Sequence, residues 1–176
     1  MKPDTKSNRK KSGKWLPALC RTLGILILLA VILTALPLSL PRLFGYEIYT
    51  VISPSMEPAL KEGTLIYTRQ VPPEEVEAGD IIAFLSNGSV VTHRVVRNRS
   101  VEGDLITKGD ANAENDPDPV SYGALIGKLS FRIPLLGRLL SVYSSLAGKI
   151  YIFLLAMSGF MLTVLADRLK NRAGKN

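Results

Sequence analysis

The stretch Ile81-Ile82-Ala83-Phe84-Leu85-Ser86-Asn87-Gly88-Ser89-Val90-Val91-Thr92-His93-Arg94-Val95-Val96 decides the fold class. Two apolar, β-branched runs flank Ser86-Asn87-Gly88-Ser89, and Asn-Gly favours the type I′ turn of a tight hairpin. The pattern predicts strands over 81–85 and 90–96. In the second, period-two alternation places Val91, His93 and Val95 on one face. His93 is the only histidine in the chain. A lone histidine on a strand is more often structural than catalytic, so its meaning depends on its partners.

Similar runs lie on either side of the hairpin. Tyr46 to Ile52, Thr64 to Thr68, Leu105 to Lys108 and Leu125 to Phe131 read as further short strands. Val71-Pro72-Pro73, Ala78-Gly79-Asp80, a turn around Asn98–Gly103 and an acidic loop from Gly109 to Pro119 separate them. Many short strands at close spacing predict an all-β domain, a small barrel or sandwich. Leucines at 135, 136, 139, 140 and 146 follow a helical stripe, giving a helix over 134–147. Core packing and a position in a membrane interface are both open for it.

The apolar residues of this 176-residue chain gather at its two ends. Leu23 to Leu40 and Ile150 to Ala166 carry no charge, and each is long enough to approach a bilayer core of about 30 Å. Residues 1–21 carry a net +6 and residues 167–176 a net +3, so the basic excess lies wholly in tails beside the apolar spans. That placement argues against nucleic acid and for a lipid bilayer with both tails in the cytoplasm. The expected order is a cytoplasmic basic arm (1–21), a first transmembrane helix (22–41), an extracytoplasmic domain (42–149), a second transmembrane helix (150–166) and a cytoplasmic basic tail (167–176). The first span reads as an uncleaved signal anchor, because Leu40-Pro41-Arg42-Leu43-Phe44 has no small-x-small cleavage site. The single cysteine, Cys20, sits at its cytoplasmic edge, which leaves the outer domain without disulfide or thiol chemistry.

The nucleophile candidate is in Ser53-Pro54-Ser55-Met56-Glu57-Pro58. A serine between two prolines has its backbone pinned on both sides, which suits a hydroxyl held in one orientation. The plain alternative is a turn. If an imidazole activates Ser55, only His93 can supply it. A neutral imidazole accepts a hydroxyl proton, and a carboxylate behind it fixes the tautomer. The acidic loop offers Asp110, Glu114, Asp116 and Asp118. An EF-hand spacing and a His/Cys cluster for zinc are both missing, so no metal or cofactor is expected.

These residues resemble the type I signal peptidases, specifically the serine–histidine branch of the endoplasmic reticulum, archaea and some Gram-positive bacteria. The resemblance covers roughly residues 20–140. It rests on the Ser53–Pro58 hexapeptide, on Gly79-Asp80-Ile81-Ile82-Ala83-Phe84, on Thr92-His93-Arg94-Val95 and on Lys108-Gly109-Asp110-Ala111-Asn112 with Asp116 following. Gly127-Lys128 and Arg132-Ile133-Pro134-Leu135-Leu136-Gly137 add to it. The Thr-His-Arg segment stands where the other bacterial branch carries a lysine base.

The resemblance implies an all-β catalytic domain between two transmembrane helices. It implies Ser55 as nucleophile, His93 as general base and Asp116 as orienting acid, with Asp110 supporting the same loop and the choice between the two acids open. It further implies an oxyanion hole from the Ser55 backbone N–H and the Ser53 hydroxyl. The substrates would be secretory preproteins with small residues at −1 and −3, with the translocon or a signal peptidase complex as company; a prokaryotic cell membrane is expected from the absence of further domains, and not from the resemblance. Two rivals remain: an inactive membrane-anchored β-domain that binds exported proteins, and a related serine protease that cuts membrane-protein loops.

Overall fold

The computed structural model describes residues 15–173, so most of the expected basic arm and the last three residues of the tail lie outside the described residues. The chain divides into two compact units. One is Pro37–Ser141; the other joins the chain up to Leu36 with the chain from Val142 onward.

Two long helices and one short one lie among the described residues. α1 spans Trp15–Ser39, α2 spans Gly137–Ser144 and α3 spans Leu146–Ala173. α1 and α3 are long and apolar enough to cross a membrane, and side chains such as Leu26, Leu33, Phe153 and Leu154 stand exposed along them. The two helices touch at Gly24, where an added Cβ would lie 2.7 Å from the Gly159 carbonyl oxygen. Tyr143 and Thr34 share a 2.5 Å hydroxyl–hydroxyl hydrogen bond. α3 extends past both ends of the apolar window expected at 150–166, while α1 begins seven residues before the window expected at 22–41 and ends two residues short of it. Hydropathy marks the lipid-compatible part of a helix, while helical hydrogen bonding continues through polar residues such as Lys170 and Arg172. The helix expected over 134–147 is confined to α2, with Ser145 alone between it and α3.

The Pro37–Ser141 unit is all-β. Its strands are β1 (Tyr46–Thr50), β2 (Leu65–Arg69), β3 (Ile81–Ser86), β4 (Ser89–Arg99), β5 (Asp104–Lys108), β6 (Val120–Ser121) and β7 (Leu125–Ile133). They form one sheet in the order β1-β2-β7-β3-β4-β5-β6, with every neighbouring pair antiparallel. The β3–β4 turn has Asn87 at φ 49° and Gly88 at φ 77°, the left-handed pair that a type I′ hairpin needs. β4 runs three residues further than its sequence pattern indicated. A bulge between Val95 and Arg97 lets it keep pairing with β5, and Asn98 is used as a latch instead of a turn residue. Its amide nitrogen donates to the Pro73 and Val76 carbonyls, and its carbonyl oxygen accepts from the Tyr122 hydroxyl. β6 has only two residues, too few to leave a periodic signature.

Alternation along β3 divides the core. Ile82 and Phe84 join Val76, Val95, Leu105 and Val120, whereas Ile81 packs against Val51, Met56, Leu60 and Ile66. The second cluster positions the site. Met56 and Leu60 are buried on either side of the turn that follows Ser55, and burying each contributes about 1.5–3 kcal/mol. The Leu60 N–H donates to the Met56 carbonyl at 2.8 Å, closing that turn onto the core.

Candidate active site

Ser53 is extended (φ −131°, ψ 155°), as a residue before proline prefers, and Pro54–Met56 form one 3-10 turn. Buried Met56 anchors this turn, so Ser55 is held at its apex. Beyond β1 the chain stays tied to the sheet through Val51, whose N–H donates to the Thr64 carbonyl and whose carbonyl accepts from the Gly63 N–H. The proline pair and the buried methionine therefore fix the Ser55 backbone from both sides.

His93 lies on β4 opposite Ile82, with its ring edge-on to Phe84 at a centroid distance of 6.2 Å. Its side chain is 11% exposed. His93 Nε2 is 3.3 Å from Ser55 Oγ, and His93 Nδ1 is 2.7 Å from Asp116 Oδ2. A carboxylate can only accept, so Nδ1 carries the proton and Nε2 is free to accept from the Ser55 hydroxyl. Asp116 Oδ2 also accepts from the Thr107 hydroxyl at 2.6 Å, and the Asp116 N–H donates to the Thr107 carbonyl at 2.8 Å. The Ser53 hydroxyl lies 3.1 Å from Ser55 Oγ. Ser53, Ser55, His93 and Asp116 thus form one hydrogen-bonded series.

Asp110 is not part of that series. Its two carboxylate oxygens accept from Arg94 Nε and NH2 at 2.7 and 2.6 Å, and Arg94 NH1 donates to the Gly79 carbonyl. The hydrogen bonds to Asp110 raise the Arg94 guanidinium further above its ordinary value, outweighing the opposing effect of burial. Neighbours on a strand face opposite ways, so Arg94 points away from the side that His93 occupies and takes Asp110 with it. Among the described residues, no His/Cys/Asp/Glu group of metal-binding size is present.

Two further contacts order the acidic loop beside Ser55. The Ala111 N–H donates to the Ser55 carbonyl at 2.9 Å, and the Asn112 N–H donates to the Gly109 carbonyl at 3.0 Å. At Gly109 an added Cβ would lie 2.7 Å from the Ser55 carbonyl oxygen and 3.0 Å from His93 Nε2. Thr107 lies outside every motif quoted from the sequence, and Gly109 lies within Lys108–Asn112 without a role assigned to it. Thr107 did leave a trace: it alternates with Leu105 on β5, and a polar residue at an inward position needs a partner. That trace is not specific, since Thr68 is equally buried and its hydroxyl has no partner.

A cavity of 210 Å³ opens beside Ser55, lined on one side by Thr50–Ser53 and on the other by Ser89–Thr92. Both walls have unpaired strand edges. β1 pairs only with β2, and β5 joins β4 only from Arg94 onward, leaving Ser89–His93 paired on one side alone.

Fold and site together define a β-domain, flanked by two membrane-length helices, that carries a serine, a histidine and an aspartate in hydrogen-bonded sequence. No protein-family model matches the chain. It is similar to signal peptidase I W of Bacillus subtilis, with 40% identity over 105 residues covering 57% of this chain and 55% of that protein. It is similar also to the signal peptidase complex catalytic subunit sec11 of Neurospora crassa, with 33% identity over 51% of this chain and 59% of the relative. The signal peptidase complex catalytic subunit SEC11C of Homo sapiens is 27% identical over 65% of this chain and 66% of its own length. The chain spans between 55% and 66% of the length of these signal peptidase relatives. Its two long apolar helices mark it as a membrane protein.

Proposed function

We propose that this chain is a membrane-bound serine endopeptidase that removes N-terminal signal peptides from exported preproteins, cutting after small residues at −1 and −3. The observation that carries this reading is the Ser55–His93–Asp116 series, with its Nε2 acceptor turned toward the serine hydroxyl. In the mechanism, His93 Nε2 takes the Ser55 proton as Oγ attacks the scissile carbonyl. The imidazolium that forms is stabilised by Asp116. The Ser55 N–H and the Ser53 hydroxyl bind the developing oxyanion. His93 then passes its proton to the leaving amine, and water hydrolyses the acyl-enzyme by the reverse proton path.

The substrate enters as an extended strand in the cleft between Thr50–Ser53 and Ser89–Thr92, where main-chain hydrogen bonds to the open edges supply affinity. Narrow side-chain space next to Ser55 supplies specificity. The test is a preprotein pair differing only by Ala→Leu at −1, with the cut bond mapped from the new N-terminus. Cleavage of the leucine substrate is expected to be more than about tenfold slower, from the clash of a larger side chain. Equal cleavage of both, or a cut within a membrane-protein loop, would assign the protein to the loop-cutting rival. Binding without any cleavage would assign it to the inactive one.

The proposed orientation places both termini in the cytoplasm and the β-domain outside, in a prokaryotic cell membrane. Lys170 and Arg172 at the end of α3 are part of the charge asymmetry behind it. An epitope placed after Lys170 should survive protease added to intact spheroplasts and be digested only after permeabilisation. Digestion without permeabilisation would reverse the topology.

A further inference from the structure

We propose that Thr107 is a positioning residue for this reaction: it holds Asp116 Oδ2 on the line to His93 Nδ1. The proposal rests on the catalytic reading above. Asp116 lies in the loop between β5 and β6, where no strand pairing restrains it. Thr107 restrains it twice, through the Asp116 N–H to its carbonyl at 2.8 Å and through its hydroxyl to Oδ2 at 2.6 Å. Both tethers come from a residue on the sheet. Thr107 is 0% exposed and pairs with Val95 of β4, itself part of the core. Its β-branched side chain has few χ1 options in a strand, so the hydroxyl is aimed by the backbone.

The oxygen that Thr107 grips is the one that His93 uses. Without the hydroxyl, the carboxylate can rotate about its Cβ–Cγ bond. It then no longer fixes the proton on Nδ1, and Nε2 loses its reserved role as acceptor. The effect falls on the chemical step, because Thr107 lines no part of the substrate cleft.

Thr107→Val keeps the shape and removes the hydroxyl; Thr107→Ser keeps the hydroxyl. On the full chain purified in detergent, Thr107→Val is expected to lower kcat by about 10–100-fold with KM little changed, the loss of one hydrogen bond to a charged group. Thr107→Ser should recover most of it. A second readout uses the single histidine. In protein labelled with nitrogen-15 histidine, the His93 Nδ1–H signal should exchange faster or vanish in the valine variant and return in the serine variant. Thr107→Cys, similar in size with a weaker donor, substitutes if the valine variant does not fold, and should fall between the other two.

Wild-type kcat together with an unchanged His93 signal in the valine variant would overturn the proposal. So would a serine variant as impaired as the valine one, since packing of the methyl group would then be what matters. A histidine effect in the valine variant beside a wild-type protein that cleaves no preprotein would refute the proposed activity while leaving the positioning role standing.

Discussion

Asp116→Asn is expected to lower kcat by roughly 10³–10⁴-fold with KM little changed and the fold intact. Asparagine keeps the shape of the side chain and replaces one oxygen by an NH2 group. If that group faces His93, Nδ1 must accept, the ring proton moves to Nε2, and Nε2 can no longer take the Ser55 proton. If the amide oxygen faces His93, the tautomer is kept, but the full negative charge that stabilises the imidazolium is gone. Either way the loss appears in the transition state, because the cavity beside Ser55 is lined by Thr50–Ser53, Ser55, Met56 and Ser89–Thr92 and not by Asp116. Asp110→Asn should behave differently. It weakens the two-pronged grip on Arg94, which ties the Gly109–Asn112 turn to Gly79, so the damage appears as a lower melting temperature and a smaller fall in rate. Steady-state kinetics and thermal melts on both purified variants decide the matter. An Asp110→Asn protein that is stable and inactive, beside a normal Asp116→Asn protein, would exchange the two roles.

The choice between the two acids shows what this sequence can and cannot disclose. Asp110 and Asp116 are both acids in one Gly/Asn/Pro-rich loop, and no local pattern says where either carboxylate points. What separates them is a neighbour at a distance in sequence. Arg94 is next to His93 on β4 and therefore faces the other way, and it captures Asp110 at bonding distance. By contrast, the hairpin was legible because Asn87-Gly88 prescribes a backbone conformation that any surrounding fold must accept. The Ser53–Pro58 segment was legible for the same reason. Proline restricts itself and the residue before it, and Ser53 has the extended backbone that this restriction demands. Asn98 misled because asparagine serves turns and also bridges backbone carbonyls, and only the position of the Pro73–Val76 segment selects the second use. Thr107 reads as an ordinary strand threonine until Asp116 is folded back over it.

Gly109→Ala is expected to reduce kcat by about 10²-fold or more, since displacing a catalytic group by about 1 Å can cost that much. The backbone at Gly109 is not left-handed, so alanine meets no conformational barrier there; the obstacle is space. The new Cβ would stand 2.7 Å from the Ser55 carbonyl oxygen, 2.8 Å from Asn112 Nδ2 and 3.0 Å from His93 Nε2. The Asn112 side chain can swing aside. The Ser55 carbonyl is part of the 3-10 turn that holds the serine and is already bonded to the Ala111 N–H, so it moves only if the turn moves. His93 is backed by Asp116 and Phe84 and has little freedom to retreat. Relief therefore comes from widening the separation of Ser55 Oγ and His93 Nε2, which at 3.3 Å is already long for a hydrogen bond that must transfer a proton. Overpacking of this kind costs about 1–3 kcal/mol, which a melt would record as a drop of several degrees without loss of the fold. The informative comparison is with Ala111→Gly, which removes a side chain from the same turn, keeps the N–H that holds Ser55, and should retain most of the activity. If Gly109→Ala cleaves at the wild-type rate, the turn yields easily and the glycine is not what spaces the serine from its base.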